Sequence, residues 1–257
     1  MNAREELVSL CRTLGEPHRD LAVLGEGNAS MRSGRDHFLV TTSGSRLAEV
    51  TETELAEVAL GPAAELAASA SIDADGGFDR ATLTAMARPA ADGVRPVPSI
   101  ETLLHALVLD RTGATCVGHT HPTSVLGLVC SVRAEEAFAS PIFPDEVVVC
   151  GPGYLVVPYA APGPALAAAL AAALDQHLER ASDWPRAIIL ANHGLLALGS
   201  SAAEVLAVTT MVDKSARARA TALAVGGLRP LEPDAVRALV GRDDERFRRQ
   251  LLMEGDA

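Results

Sequence analysis

The chain has 257 residues, of which 48% are hydrophobic and 3% aromatic, and its formal net charge at pH 7 is −11. A chain of this length and apolar fraction can bury a sizeable core, which excludes an intrinsically disordered protein. Because the acidic balance repels phosphate backbones and the few aromatic rings leave little surface for base stacking, we expect no nucleic-acid partner.

The first part of the chain predicts a helix, two strands and an irregular segment. Residues 4–14 carry apolar side chains at helical spacing. Two strands follow, joined by a turn at 33–34, and the second strand covers 37–42. Residues 61–98 are rich in Ala, Gly, Asp and Pro and have weak periodicity, apart from a short helix at 80–88. This composition predicts an insertion or mobile loop at 61–98 that covers the site, with a poorly packed linker as the alternative.

The remainder of the chain alternates helices with strands. Ser99 is a good N-cap for an apolar helix that ends near Gly113. The later elements, in chain order, are a strand over 114–119, a helix or extended segment over 122–129, strands at 147–149 and 155–157, a helix over 164–180, a strand over 187–190 and a helix over 204–224. This alternation predicts a layered α/β fold. The hairpin-like spacing of several strands favours a mixed, largely antiparallel sheet over a doubly wound one.

Three further sequence features exclude classes of protein. No window approaches the ~20 uninterrupted apolar residues of a membrane span, and no apolar segment follows the charged N-terminal residues, so we expect a cytoplasmic protein without a membrane partner. Lys214 is the single lysine and lies where a solvated helix face is expected, which disfavours a lysine Schiff base. Gly25 and Gly27 lack the third glycine of a dinucleotide fingerprint, and no G-x-S-x-G elbow is present.

The strongest local signal is a pair of histidines at the end of a β-branched run. In extended backbone, residues two apart face the same way, so the imidazoles of His119 and His121 can converge on one cation. A metal site needs at least one more ligand, and His193 lies where the apolar strand 187–190 opens into a loop. Ordinary polar residues at strand ends are the alternative for each of the three.

Glu101 and His105 lie four residues apart on one helix face, a spacing that could also hold a metal. The alternative for Glu101 is an acid in the first turn that stabilises the helix N-terminus by ~0.3–1 kcal/mol. The residues alone leave both interpretations open.

Taken in order, five motifs resemble the class II aldolase/adducin family. They are Gly27-Asn28-x-Ser30, Thr41-Thr42-Ser43-Gly44, Pro98-Ser99-Ile100-Glu101, His119-Thr120-His121-Pro122 and Asn192-His193-Gly194-Leu195. The resemblance implies a three-layer α/β/α sandwich with a mixed, mostly antiparallel sheet, formed as a single domain over residues 1–257. It also implies homotetramers with active sites at subunit contacts.

The resemblance assigns roles to particular residues. It implies that His119, His121 and His193 bind Zn²⁺, with Mn²⁺ or Co²⁺ as alternatives, and that Glu101 is both a metal neighbour and the catalytic acid/base. It further implies that backbone and hydroxyl donors hold a substrate phosphate, and these are Gly27, Asn28, Ser43, Gly44 and Ser99. Neutral donors of this kind can bind an oxyanion in an acidic protein.

The chain departs from the family pattern in two places. Ile100 stands where the sugar-phosphate aldolases have a second serine before the glutamate, which weakens the phosphate inference. The tyrosine that serves as a proton donor in such aldolases has no clear counterpart, because the corresponding region, 142–146, reads IFPDE.

The sequence therefore predicts a zinc-dependent lyase of carbohydrate metabolism. It would make or cleave a C–C bond next to the carbonyl of a hydroxy-ketone, sugar or sugar phosphate through a metal-stabilised enediolate. Epimerisation, dehydration or decarboxylation of a sugar acid or sugar phosphate shares the first step and is the alternative. A non-catalytic adducin-like scaffold is the alternative of another class, although such a scaffold has no reason to keep three histidines and the glutamate together. A metal-dependent hydrolase is a weaker third alternative.

Overall fold

One mixed sheet organises the part of the chain that the computed structural model describes, which is residues 2–70, 80–181, 183–245, 247 and 251. Its strands are β1 (Asn28–Arg32), β2 (His37–Thr41), β3 (Leu55–Ala59), β4 (Cys116–Thr120), β5 (Leu155–Val157), β6 (Ala187–Leu190) and β7 (Gly194–Gly199). They lie in the order β3-β2-β1-β4-β7-β6-β5. Every neighbouring pair is antiparallel except β5 and β6, which confirms the predicted mixed, mostly antiparallel sheet.

Helices cover both faces of this sheet. They are α1 (Ala3–Leu14), α2 (Leu60–Ala68), α3 (Arg80–Met86), α4 (Thr102–Arg111), α5 (Thr123–Val129), α6 (Ala134–Ala137), α7 (Pro144–Cys150), α8 (Pro164–Arg180), α9 (Ala202–Ala224) and α10 (Pro233–Gly241). Helices α2, α4 and α8 pack on one face, whereas α1, α5 and α9 pack on the other. Among the helices of the described ranges, none combines the length and apolarity required to cross a bilayer.

The two faces of the sheet have separate apolar cores. Phe38 and Val40 of β2 contribute to the core beneath α2, α4 and α8, while Leu39 between them contributes to the core beneath α1, α5 and α9. On β4, Val117 likewise contributes to the core beneath α2, α4 and α8, and Cys116 to the core beneath α1, α5 and α9. The alternation follows from the two-residue repeat of a strand and confirms the three-layer α/β/α sandwich.

The strand directions bring the sequence motifs together at one end of the sheet. Because β1 runs antiparallel to β4, Asn28 at the start of β1 lies opposite His119 near the end of β4. Because β4 runs antiparallel to β7, Thr120 lies opposite Leu195. One end of the sheet therefore holds the ends of β2 and β4 together with the beginnings of β1 and β7. Loops at this end can present functional side chains.

The structure corrects the strand expected at 147–149, which is part of helix α7. Pro144 occupies the first turn of this helix, and Asp145 and Glu146 follow it there, an arrangement that suits a helix N-terminus. Its valines are almost completely buried, so their β-branched character reflects the core and not a strand.

The segment 61–98 contains more regular structure than its composition indicates. Helix α2 occupies its beginning, where Ala63 and Ala67 are buried, and α3 lies close to the short helix expected at 80–88. Residues 71–79 lie outside the described residues, and the insertion or mobile loop stays a prediction.

Candidate metal centre

The end of β4 and the turn between β6 and β7 bring three histidine side chains together. The Nε2 atoms of His119 and His121 are 2.9 Å apart. The ring centroid of His193 lies 4.9 Å from those of both other histidines. One nitrogen from each ring lies within 4.8 Å of the others, so the three residues could hold a metal ion. The sequence prediction named these same three histidines.

The turn that carries His193 depends on its two neighbours. Asn192 has φ of +54°, a left-handed conformation that asparagine tolerates better than most residues do. A Cβ atom at Gly194 would lie 2.6 Å from the Thr120 carbonyl oxygen and 2.8 Å from Cδ2 of His121. Asn192 and Gly194 therefore allow the turn to approach β4 closely enough for the rings to meet.

A backbone contact orients the ring of His119. Its Nδ1 lies 2.9 Å from the carbonyl oxygen of Leu195 on the neighbouring strand β7. Since a carbonyl oxygen only accepts, Nδ1–H donates, which leaves Nε2 as the ring nitrogen that faces the cluster. A carbonyl partner of this type is the usual way in which proteins orient a metal-binding histidine.

Glu101 directs its carboxylate into the same cluster. Its Oε2 lies 3.3 Å from Nε2 of His119, and its Oε1 lies 3.1 Å from Nε2 of His193. Glu101 is the N-cap residue of α4, but its side chain makes no capping hydrogen bond. The helix that was expected to begin after Ser99 instead begins at Thr102, and Glu101 faces the histidines.

The electrostatics of the cluster are those of a site for a positive charge. Burial opposes ionisation of Glu101, but the charges and hydrogen bonds of His119 and His193 outweigh burial and hold the pKa of this carboxyl far below its usual range. Burial would lower the pKa of His119, but the Glu101 carboxylate and the Leu195 carbonyl raise it. Burial, followed by the charges of the other two histidines, lowers the pKa of His121 to about 3.

The donor set fits a divalent metal. Nitrogen ligands at 2.0–2.1 Å from a tetrahedral zinc ion lie ~3.4 Å apart, a spacing that this cluster can provide. Imidazoles and carboxylates are common zinc ligands, and the Glu101 carboxylate lies 3.3 Å from His119 Nε2 in the same cluster.

His105 does not join this cluster, although its spacing from Glu101 allowed that interpretation. Its ring is fully buried, with Nδ1 2.7 Å from Ser30 Oγ and Nε2 2.5 Å from Asn28 Oδ1. Burial first, and then the charge of His119, lowers the pKa of His105 to about 3. Sequence reasoning missed both contacts, because they connect a helix to a strand more than seventy residues away.

Two of the residues expected to bind phosphate, Ser43 and Ser99, lie on adjacent segments. The N–H of Ser43 donates to the Val97 carbonyl at 2.9 Å and the N–H of Ser99 to the Thr41 carbonyl at 3.1 Å, so their two segments run side by side. Gly44 has φ of +87° and open space where a Cβ would stand.

Two of the expected phosphate ligands have other contacts in this structure. The Nδ2 of Asn28 donates to Glu101 Oε2 at 2.6 Å and to Ser99 Oγ at 3.3 Å. Gly27 lies against the backbone of His119, whose carbonyl oxygen is 2.6 Å from the position of an added Cβ.

The sequence analysis also missed an arginine near this site. The Nη2 of Arg80 donates to the hydroxyl of Ser43 at 3.2 Å. Arg80 begins the short helix expected at 80–88, but no motif indicated that its side chain reaches Ser43.

The structure also places the two departures from the family pattern. Ile100 directs its side chain toward Gly163 at the start of α8, where a Cβ would be 3.8 Å from Cδ1 of Ile100. The hydroxyl of Tyr154 donates to Glu146 at 2.5 Å in a buried network, whereas Tyr159 is 63% exposed. Neither tyrosine contacts the histidine cluster within the described residues.

Comparison with known proteins identifies relatives along most of the chain. The chain resembles the crystal structure of YgbL from Klebsiella pneumoniae, for which aldolase, epimerase and decarboxylase are candidate activities. The two chains are 26% identical, the TM-score is 0.68, and the match covers 93% of this chain and 99% of that one. It also resembles an L-fuculose 1-phosphate aldolase, with 20% identity, a TM-score of 0.70 and coverage of 96% of both chains. The latter likeness shows the shared fold.

A curated relative is the uncharacterized oxidoreductase YuxG of Bacillus subtilis strain 168, which is 28% identical over 207 residues. The matched region is 77% of this chain but 26% of that relative, so the chain spans about a quarter of its length. Residues 5–220 match the family model of the class II aldolase and adducin N-terminal domain. The chain therefore belongs to the class II aldolase and adducin family.

Proposed function

We propose that this protein is a zinc-dependent lyase that makes or breaks a C–C bond next to the carbonyl of a hydroxy-ketone, sugar or sugar phosphate. The observation that carries the proposal is the convergence of three histidine rings and one nearly buried carboxylate at the end of the central strand β4. Membership of the class II aldolase and adducin family supports it.

His119, His121 and His193 would hold the ion, with Mn²⁺ or Co²⁺ as alternatives to Zn²⁺. A divalent metal at this position supplies Lewis-acid polarisation of a substrate carbonyl. Such polarisation is needed here because Lys214, the single lysine, lies exposed on α9 with its Nζ 5.5 Å from the ring of Phe143.

Glu101 would act as the proton carrier. Its Oε1 and Oε2 face the histidine cluster, and an acid/base group must lie within hydrogen-bond reach of the proton that it transfers. Because this carboxylate is nearly buried, its orientation toward the histidine cluster is held by the protein and not disturbed by solvent.

Ser43, Gly44 and Ser99 would hold the polar end of the substrate. Within the described residues, a Cβ at Gly44 would meet open space, so a substrate group can approach this turn, and the guanidinium of Arg80 adds a positive charge next to Ser43. These donors can bind an oxyanion despite the net charge of −11. The family resemblance also implies Gly27 and Asn28 for this role, but the Asn28 amide donates to Glu101 and Ser99, and Gly27 lies against the backbone of His119.

A second reaction at the same site also has support. Epimerase and decarboxylase are among the candidate activities of YgbL, which is 26% identical to this chain. Epimerisation, dehydration or decarboxylation of a sugar acid or sugar phosphate would use the same cluster and differ in the bond that breaks. A non-catalytic adducin-like scaffold has less support because the histidine cluster and Glu101 are both present.

The rest of the proposal concerns the context of this activity. The protein would be a cytoplasmic homotetramer of carbohydrate metabolism, with residues 1–257 forming one class II aldolase-like domain. Sedimentation of the untagged protein measures the oligomeric state.

The deciding experiment combines metal analysis with a cleavage screen. Untagged protein should contain zinc and should cleave at least one compound from a set of phosphorylated and unphosphorylated ketoses and hydroxy-oxo acids. Glu101→Gln, which keeps the size of the side chain, should retain zinc and reduce turnover by about 10²–10⁴-fold, the usual contribution of an acid/base group. Glu57→Gln on β3 is the control and should keep full activity.

Full activity of Glu101→Gln would contradict the assignment of Glu101. Absence of zinc from the untagged protein after incubation with the metal would contradict the metal site. Conversion of a substrate without C–C cleavage would favour the second reaction class.

A further inference from the structure

A chain of buried hydrogen bonds leads from the interior of the protein to the metal centre. Ser30 Oγ lies 2.7 Å from His105 Nδ1, His105 Nε2 lies 2.5 Å from Asn28 Oδ1, and Asn28 Nδ2 lies 2.6 Å from Glu101 Oε2. Ser30 and His105 are fully buried, and Asn28 and Glu101 are 5% and 7% exposed. Buried polar side chains are costly unless they are hydrogen-bonded, so a continuous chain of four needs a reason.

The chemistry of each group determines the direction of this chain. The ionised Glu101 carboxylate only accepts, so the amide of Asn28 must turn its N–H group toward it and its carbonyl oxygen toward His105. That oxygen also only accepts, so His105 must carry its proton on Nε2. Nδ1 then accepts from the hydroxyl of Ser30. One orientation satisfies all four side chains.

The spacing of helix and strand allows two contacts to form together. Glu101 and His105 are four residues apart, which corresponds to about 6 Å along a helix, and Asn28 and Ser30 are two residues apart, which corresponds to about 6.7 Å along a strand. Helix α4 therefore docks on β1 at two matched points. The same spacing that suggested a metal pair in the sequence serves to fix the helix on the sheet.

We propose that His105 is a positioning residue that acts through Asn28 to hold the Glu101 carboxylate against the metal centre. Both N–H groups of the Asn28 amide are directed at protein acceptors, Glu101 Oε2 and Ser99 Oγ. The Asn28 amide thereby serves the acid/base group, which departs from the phosphate-binding role that the family resemblance implies for Asn28. The activity measurements of this proposal rest on the proposed function.

Two substitutions of His105 separate positioning from packing. A glutamine amide can place an N–H group near the position of Nε2, whereas the shorter asparagine amide reaches only the position of Nδ1. His105→Gln therefore keeps the donor to Asn28, and His105→Asn removes it. Thr102→Val is the matched control on the same helix, since Thr102 is fully buried and its hydroxyl has no hydrogen-bond partner within the described residues.

The activity readout is solvent deuterium exchange into dihydroxyacetone and dihydroxyacetone phosphate by the zinc-loaded protein. His105→Asn should lower kcat by about 10–100-fold, the usual effect of removing the partner of an active-site group, and leave KM and zinc content unchanged. His105→Gln should restore most of kcat, and Thr102→Val should match the parent protein. Equal losses in the asparagine and glutamine variants, or a loss confined to KM, would overturn the proposal.

A second readout does not depend on turnover. Long-range ¹H–¹⁵N correlation spectra of the ¹⁵N-histidine-labelled, zinc-loaded protein should place the proton of His105 on Nε2, and Ser30→Ala should weaken this preference. A proton on Nδ1, or on both nitrogens, would overturn the proposal. If the parent protein exchanges neither ketone while His105 keeps its proton on Nε2, the proposed function fails for these probes and the hydrogen-bond chain stands.

Discussion

Substitution of Gly27 tests whether the first sequence motif serves the substrate or the backbone. Gly27 has φ of +73°, and an added Cβ would lie 2.6 Å from the carbonyl oxygen of His119 and 3.2 Å from Cδ1 of Leu47. This carbonyl belongs to β4, which is hydrogen-bonded to β1 on one side and to β7 on the other, so it has little freedom to move. Gly27→Ala should therefore strain the backbone that carries His119, one of the three proposed metal ligands.

The magnitude follows from two separate costs. The left-handed conformation costs an alanine about 1–2 kcal/mol, and overpacking against a fixed backbone costs about 1–3 kcal/mol. The free energy of unfolding should thus fall by about 2–5 kcal/mol. At about 2–4 °C per kcal/mol for a domain of this size, the melting temperature should fall by roughly 4–20 °C.

Two other glycines provide matched controls. Gly93 has φ of +82° with open space around its Cβ position, so Gly93→Ala should show only the conformational cost of about 1–2 kcal/mol. Gly34 has open space and no positive φ, so Gly34→Ala should have little effect or stabilise slightly.

The assay is thermal unfolding of the three variants with and without added zinc. A ligand that binds the folded state raises the melting temperature, and the zinc-induced rise should be smaller in Gly27→Ala than in Gly93→Ala because His119 is displaced. If these two variants have the same stability and the same zinc response, the contact between Gly27 and the His119 carbonyl has no energetic consequence.

Two predictions concern residues away from the metal centre. Arg219→Met should destabilise the protein by about 3–5 kcal/mol, because it leaves the fully buried carboxylate of Glu146 without its cation. The double variant with Glu146→Gln should regain part of this loss in urea unfolding, and a loss below about 1 kcal/mol in the single variant would refute the reasoning. Of the four cysteines, Cys130 is exposed and the other three are buried. Burial makes a thiol less reactive, and it raises the pKa of Cys11 to about 12. A thiol reagent should therefore modify one thiol in the native protein, Cys130→Ser should abolish this reaction, and rapid modification of further thiols before unfolding would contradict it.

Much of the fold could be predicted from local patterns. The helix predicted over 164–180 is found as α8, and the strand predicted over 187–190 is found as β6, because their apolar spacing repeats within a few residues. The error at 147–149 arose because a buried helix and a buried strand can have the same run of valines. Helix α2 was missed because alanine-rich helices show little contrast between their two faces.

The candidate site could be predicted in part for a similar reason. The two-residue spacing of His119 and His121 is a local property of a strand, so their convergence could be inferred from the sequence. The partners of Asn28 could not be inferred, because they depend on the register between β1 and β4 and on the docking of α4.

The sequence by itself determined the chemical types that are available: three histidines and a glutamate in motifs that resemble one family, and a single lysine. The identity of these residues and their spacing along the chain are sufficient to establish which chemical groups are available. Only the tertiary structure decided what each group faces. The carboxylate of Glu101 turns to the histidines and not to its own helix terminus, and His105 turns to β1 and not to the metal cluster. Both outcomes are equally compatible with a spacing of four residues on a helix, and the packing of α4 against the sheet selects between them.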